Sequence, residues 1–215
     1  MSENRPVPAS TDAPALADLS DEHLLLQYRN AREDEVFREL VHRYERELYS
    51  YLYRYTHDSG LAEDVFQATF LRLHQKIKAY EPGRPVRPWI YSIATHLAID
   101  ALRKAGRRHT VSLDVQHDEA EAEAGTLLDL VRDAMPQPLK QISDDERSAW
   151  ARRAVAELPD YLRQVVLLIY FQGLSYQEAA ETLDIPLGTV KSRMHAAFVK
   201  LHSAWRKSHR DAEEE

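Results

Sequence analysis

The stretch from Gly173 to Trp205, GLSYQEAAETLDIPLGTVKSRMHAAFVKLHSAW, constrains the fold more than any other part of the chain. It parses as helix, short turn, longer helix. Ser175 followed three residues later by Glu178 is a capping box that starts the first helix. That helix must stop before Pro186, which has no N–H and clashes with the preceding turn. Asp184 to Gly188 forms the turn. From Thr189 onward, Val190, Met194, Ala197, Phe198, Leu201 and Trp205 fall on one helical stripe. The opposite face carries Ser192, His195, Ala196, Val199 and Ser203, with Lys191 and Arg193 at its sides. Small residues at the apex and cations on the flanks suit a helix that enters a major groove, the apex at base edges and the flanks at phosphates. An ordinary two-helix hairpin with a solvated basic face would show the same pattern, so the rest of the chain has to decide.

The upstream sequence also reads as helices, joined by loops and a linker. Ser20 caps a first helix with Leu24, Leu25 and Tyr28 along its apolar edge. A longer helix begins near Asp34, and Val36, Phe37, Leu40, Val41, Tyr44, Leu48, Tyr51, Leu52 and Tyr55 hold a 3.6-residue period. The next, from about Leu61 to Lys78, has a core stripe of Phe66, Thr69, Phe70, Leu73 and Ile77. Its other side shows Asp64, Gln67, Ala68, Leu71 and Gln75, and a leucine exposed among hydrogen-bonding side chains is a candidate protein contact. Glu81 to Pro88 is a stiff proline loop, and Pro88 stands at the start of a fourth helix that runs to about Lys104. Trp89, Ile90, Ile93, Ala94, Leu97 and Ala101 are expected on its core side, with Ser92, Thr95, His96, Ile99 and Arg103 opposite.

Charge is divided unevenly. Residues 109–149 carry 10 acidic and 3 basic side chains, whereas residues 84–108 carry 6 basic and 1 acidic. The net charge of −7 therefore comes from a central acidic segment between two more basic modules. Within it, Asp114 to Glu123 is too poor in bulky apolar residues to pack alone, and Thr126 to Met135 suits a short helix. Ser143 with Glu146 opens the second module as another capping box. Trp150, Ala154, Val155 and Leu158 share one face of its first helix. Leu162, Val165, Val166, Ile169 and Tyr170 are expected inward on the next, which Gly173 ends. No strand and no repeat is expected. The fold class is all-α: two small helical domains joined by an acidic flexible linker, the C-terminal one a helix–turn–helix. The expected boundaries are a disordered lead-in at 1–20, a first domain at 21–108, a linker at 109–142, a second domain at 143–207 and a charged tail at 208–215.

Trp89 beside Arg84 and Arg87, next to the polar side of the fourth helix, suits single-stranded DNA, where bases stack on aromatics and cations follow the backbone; Arg103, Lys104 and Arg107 at the helix end would bind phosphate, or simply favour the helix dipole. Several other functions lack their residues. The chain has no cysteine, so neither a disulfide framework nor a thiolate metal site is available, and a reducing, cytoplasmic setting is expected. No apolar run approaches the length of about 20 residues that a membrane span requires. There is no phosphate-cradling glycine loop and no HExxH. His195, His202 and His209 stand two helical turns apart, too far for two to share an ion. No metal, cofactor or catalytic constellation is expected.

Three stretches together carry a resemblance. AEDVFQATFLRLHQKI at 62–77, RPWIYSIATHLAIDALRK at 87–104 and the segment from Glu157 to Leu201 resemble bacterial sigma factors of the extracytoplasmic-function (ECF) group, the small two-domain class of the sigma-70 family. The resemblance implies a non-enzymatic factor that joins core RNA polymerase through the clamp of the largest subunit and the flap of the second largest. It would recognise the −35 and −10 promoter elements and promote melting. Asp64, Gln67, Phe70 and Leu71 would meet the clamp. Arg84, Arg87, Trp89, Ser92, Thr95, His96, Arg103, Lys104 and Arg107 would meet the −10 element. Thr189, Lys191, Ser192, Arg193 and His195 would meet the −35 element. The acidic linker would mimic a nucleic-acid strand in the polymerase channel or serve as a solvated tether, and members of the group are often held by an anti-sigma factor. Departures from the group's usual pattern are Ala68, His74, the Thr95-His96 pair and Ala196. The rival readings are a direct DNA-binding regulator acting as a dimer and a polymerase-binding antagonist.

Overall fold

The computed structural model describes residues 15–106 and 144–211. Side chains at 144–148 and 209–211 stand outside that description, as do the acidic linker, the short helix expected at Thr126–Met135, the Ser143 cap and Arg107. Among the described residues there are helices and turns and no strand.

The first half is a bundle of four helices: α1 (Asp21–Ala31), α2 (Asp34–Thr56), α3 (Ser59–Lys76) and α4 (Val86–Gly106). Local chemistry sets the ends. The Ser20 hydroxyl accepts from the His23 N–H, and the Asp58 carboxylate accepts from the Leu61 N–H. The second of these starts α3 two residues earlier than expected. Arg32 and His57 close α1 and α2 in the left-handed conformation, at φ 58° and 55°. The α2 stripe drives assembly: Leu40, Leu48, Tyr51 and Leu52 are fully buried and meet Leu24, Leu25, Leu73, Ile90 and Ala94 in one core.

Residues 16–19 correct the expected lead-in. Leu16–Asp18 forms a 3₁₀ turn, and the Arg43 guanidinium fixes it. Arg43 donates to the carbonyls of Leu16 (2.9 Å), Ala17 (2.9 Å) and Leu19 (2.7 Å) and pairs with Asp21 and Glu39, both at 2.9 Å. Burial opposes the Arg43 charge, but the hydrogen bonds to Glu39 and Asp21 outweigh it and hold its pKa above the ordinary value.

The second half contains α5 (Asp144–Ala156), α6 (Asp160–Val166), α7 (Tyr176–Leu183) and α8 (Leu187–Asp211). One turn of π-helix, Leu167–Phe171, continues α6. The wider turn closes with the Gln172 N–H donating to the Leu167 carbonyl at 3.1 Å. A π-turn advances the helix phase. It overturns one expectation: Tyr170 is not inward but 71 % exposed, while Leu167 and Leu168 take the buried positions. Gly173, at φ 69°, then reverses the chain, as a glycine past a helix end does.

The two halves pack on each other. Helix α7 lies along α4, and α2 meets α6 and the π-turn. The Gln172 side-chain oxygen accepts from the Tyr91 hydroxyl (2.6 Å) and from Arg87 (3.4 Å), and its backbone carbonyl accepts from Arg87 Nε (3.1 Å). Gln164 donates to the Tyr55 hydroxyl, and Arg54 lies 4.8 Å above the Phe171 ring.

Candidate nucleic-acid interface

Three surfaces carry the residues expected to act. On α3, Asp64, Gln67 and Leu71 are exposed on one side, and Leu71 is 59 % exposed. Gln67 donates to Glu63 at 3.4 Å, which braces its amide along the helix. Phe70 does not join them. It is buried, edge-on to Phe66 (5.1 Å) and Phe37 (6.2 Å), because the core stripe of α3 claims it. A direct Phe70 contact with a partner is therefore corrected to a supporting position beneath the exposed trio. His74 is also engaged within the bundle, its Nδ1 2.5 Å from the Tyr28 hydroxyl.

On α4 and the loop before it, the eight described residues of the nine expected separate. Arg84 is exposed, and its carbonyl accepts from the Tyr80 hydroxyl at 2.5 Å. Trp89 is half-buried against the Tyr80 ring, 5.3 Å away. Ser92 and His96 stack one turn apart, the His96 Nδ1 donating to the Ser92 carbonyl at 2.7 Å. His96, Arg103 and Lys104 are exposed. Two residues face elsewhere. Thr95 is fully buried and hydrogen-bonded to the Tyr51 hydroxyl at 2.7 Å, so its expected DNA contact is corrected: it belongs to the α2–α4 core. Arg87 forms a two-pronged pair with Glu47 (2.5 and 3.1 Å), lies 5.2 Å above Tyr91 and reaches Gln172. Burial opposes its charge, yet the bond to Glu47 prevails and raises its pKa.

The third surface is the start of α8. Both halves of the Ser175–Glu178 capping box are formed, at 3.2 and 2.8 Å. Asp184 turns the chain at φ 53°, and the Ile185 N–H donates to the Ala180 carbonyl. Helix α8 then begins at Leu187, two residues before the expected Thr189. Val190, Met194 and Ala197 are buried in the core that also holds Leu162 and Ala179, and this fixes the helix rotation. Thr189, Lys191, Ser192, Arg193 and His195 are partly exposed around the same turns. The Ser192 hydroxyl bonds back to the Thr189 carbonyl at 3.1 Å. Arg193 lies 5.7 Å above the Tyr161 ring from the start of α6, and burial lowers its pKa.

Sequence reasoning missed Tyr161 and Gln172. Each acts on a residue far away in the chain, and neither interrupts an apolar pattern, so no local signal marked them. Among the described residues, no group of three or more His, Asp or Glu could hold a metal ion, and no helix is long and apolar enough to cross a membrane.

Known proteins match the stretches of chain that carry these surfaces. Sigma-70 region 2 matches residues 40–108, and Sigma-70, region 4 matches residues 148–201. The ECF RNA polymerase sigma factor SigW of Bacillus subtilis is 31 % identical over 163 residues, covering 76 % of this chain and 85 % of that one. The ECF RNA polymerase sigma factor SigE of Mycolicibacterium smegmatis is 33 % identical over 157 residues, which are 73 % of this chain and 56 % of that relative's length. In structure, CnrH, solved in complex with the cytosolic domain of CnrY, superposes with a TM-score of 0.59 at 22 % identity, over 87 % of this chain and 97 % of that one. The match to SigW across both halves, with the helix–turn–helix formed where region 4 aligns, places the chain in the ECF group of RNA polymerase sigma factors, and its function is promoter recognition in transcription initiation.

Proposed function

We propose that the chain works without bond chemistry, as an adaptor with three contact surfaces. Asp64, Gln67 and Leu71 dock the clamp of core polymerase. The α4 edge of Ser92, His96, Arg103 and Lys104, flanked by Arg84 and Trp89, captures unstacked bases of the −10 element. Thr189, Lys191, Ser192, Arg193 and His195 read the −35 duplex. Residues 21–108 and 143–207 form the two working domains. The observation that carries this reading is the order of the surfaces along one chain: an exposed leucine among polar groups, then a cation- and aromatic-flanked helix, then a capped helix–turn–helix. A duplex-binding regulator needs only the last of these.

In the closed arrangement Arg87 is committed to Glu47 and Gln172. It reaches DNA only if it gives up both the Glu47 carboxylate of its own half and Gln172 of the other. Extruding a base costs a few kcal/mol, and pocket contacts and the polymerase grip offset it. An anti-sigma factor is included as a partner by membership of the group.

Reconstitution tests the whole reading. The purified chain is mixed with bacterial core polymerase, and transcription starts are mapped on a genomic fragment library. Starts that share two elements at a fixed spacing are expected. A complex without starts would mean an antagonist. Specific duplex binding by the protein alone, with no complex, would mean a direct regulator. Leu71→Glu should weaken assembly about tenfold or more without changing the melting temperature, since one buried leucine contributes about 1.5–3 kcal/mol to a contact.

A further inference from the structure

The −35 surface contains one side chain from outside the helix–turn–helix. Tyr161, second residue of α6, is 49 % exposed, although large aromatic rings are usually covered. Its ring lies under the Arg193 guanidinium, with 5.7 Å from the guanidinium carbon to the ring centroid. Arg193 is only partly exposed, and among the described residues no carboxylate pairs with it. A guanidinium stacked on a ring keeps its in-plane N–H donors available, which is the geometry for a two-pronged contact to guanine O6 and N7. An ion pair would occupy those donors. The ring also limits the rotamers of a long side chain before DNA arrives, so less freedom is lost on binding.

We propose that Tyr161 is a positioning residue for promoter reading: its ring turns Arg193 from the phosphate-facing flank expected in the sequence toward a base edge, so that the arginine discriminates bases in the upstream element. This rests on the assignment of Arg193 to the −35 surface. The ring does the work, through its face, and the hydroxyl is dispensable.

The test uses holoenzyme assembled from the full chain and core polymerase. A promoter obtained by start mapping is randomised across its upstream element, and initiation is read for every sequence. Arg193→Ala should erase preference at one or two adjacent base pairs. Tyr161→Ala should reduce preference at those same positions by about two- to fivefold, the size of one exposed cation–π contact. Tyr161→Phe should restore it, and Tyr161→Ala should add nothing in the Arg193→Ala background. Thermal unfolding of each variant is recorded in parallel. A uniform loss across all sequences, additive effects of the two substitutions, or failure of Tyr161→Phe to rescue would overturn the positioning role. An Arg193→Ala variant that reads the element normally would overturn the site assignment itself. A normal Tyr161→Ala beside a defective Arg193→Ala would overturn only the inference about Tyr161.

Discussion

At the scale of single residues, burial decides between two uses of a polar side chain. Thr95 looks like a DNA contact in a linear reading, yet it closes a hydrogen bond with Tyr51 in the interior. Thr95→Val should cost about 1–3 kcal/mol in urea unfolding, because it strands the Tyr51 hydroxyl in a buried place. Promoter sequence preference should be unchanged. His57 makes a second case. Burial is the largest cause lowering its pKa, the nearby Arg163 guanidinium lowers it further, and the Asp160 carboxylate partly opposes both. The folded state therefore takes up this proton less readily than the unfolded chain. The associated stability is present above the unfolded value of about 6.5 and is lost as pH falls through the lower folded value. His57→Asn, which tolerates the left-handed backbone at φ 55°, should lose less stability than the parent between about pH 7 and pH 5. Unfolding free energies measured across that range check it.

At the scale of elements, caps and phase matter more than helix propensity. The Ser175–Glu178 box fixes where α7 starts and hence how Asp184 hands the chain to α8. Ser175→Ala should destabilise the protein by about 1 kcal/mol, seen as a lower denaturation midpoint. The π-turn at Leu167–Phe171 acts the other way, by changing phase inside an otherwise regular helix. It sends Tyr170 to solvent and brings Gln172 to Tyr91 and Arg87.

At the scale of the whole molecule, the Gln172 amide is one link between the halves, beside Gln164 on Tyr55 and Arg54 over Phe171. Gln172 is buried and satisfies the hydroxyl of Tyr91, itself fully buried. Gln172→Ala should cost about 1–3 kcal/mol by leaving that hydroxyl unpaired. If the halves lose their coupling, unfolding followed by helical circular dichroism and by tryptophan fluorescence should cease to coincide. Trp89 reports on the first half, and Trp150 with Trp205, 4.7 Å apart, on the second.

The helices, the Ser20 and Ser175 caps, the core stripe of α2 and the helix–turn–helix were all legible along the chain, because each depends on residues within four positions of one another. The motifs at 62–77, 87–104 and 157–201 likewise identified the group without coordinates. Tertiary structure alone decided which face of α4 is free, since burying Thr95 depends on Tyr51, which lies 44 residues away. It also decided that Arg43 holds residues 16–19, that Arg87 is shared between the halves, and that Arg193 rests on Tyr161. Each of these is a contact between side chains distant in sequence. Local periodicity encodes which side of a helix is apolar, but not which polar group at the edge of that side will find a partner when the helices meet.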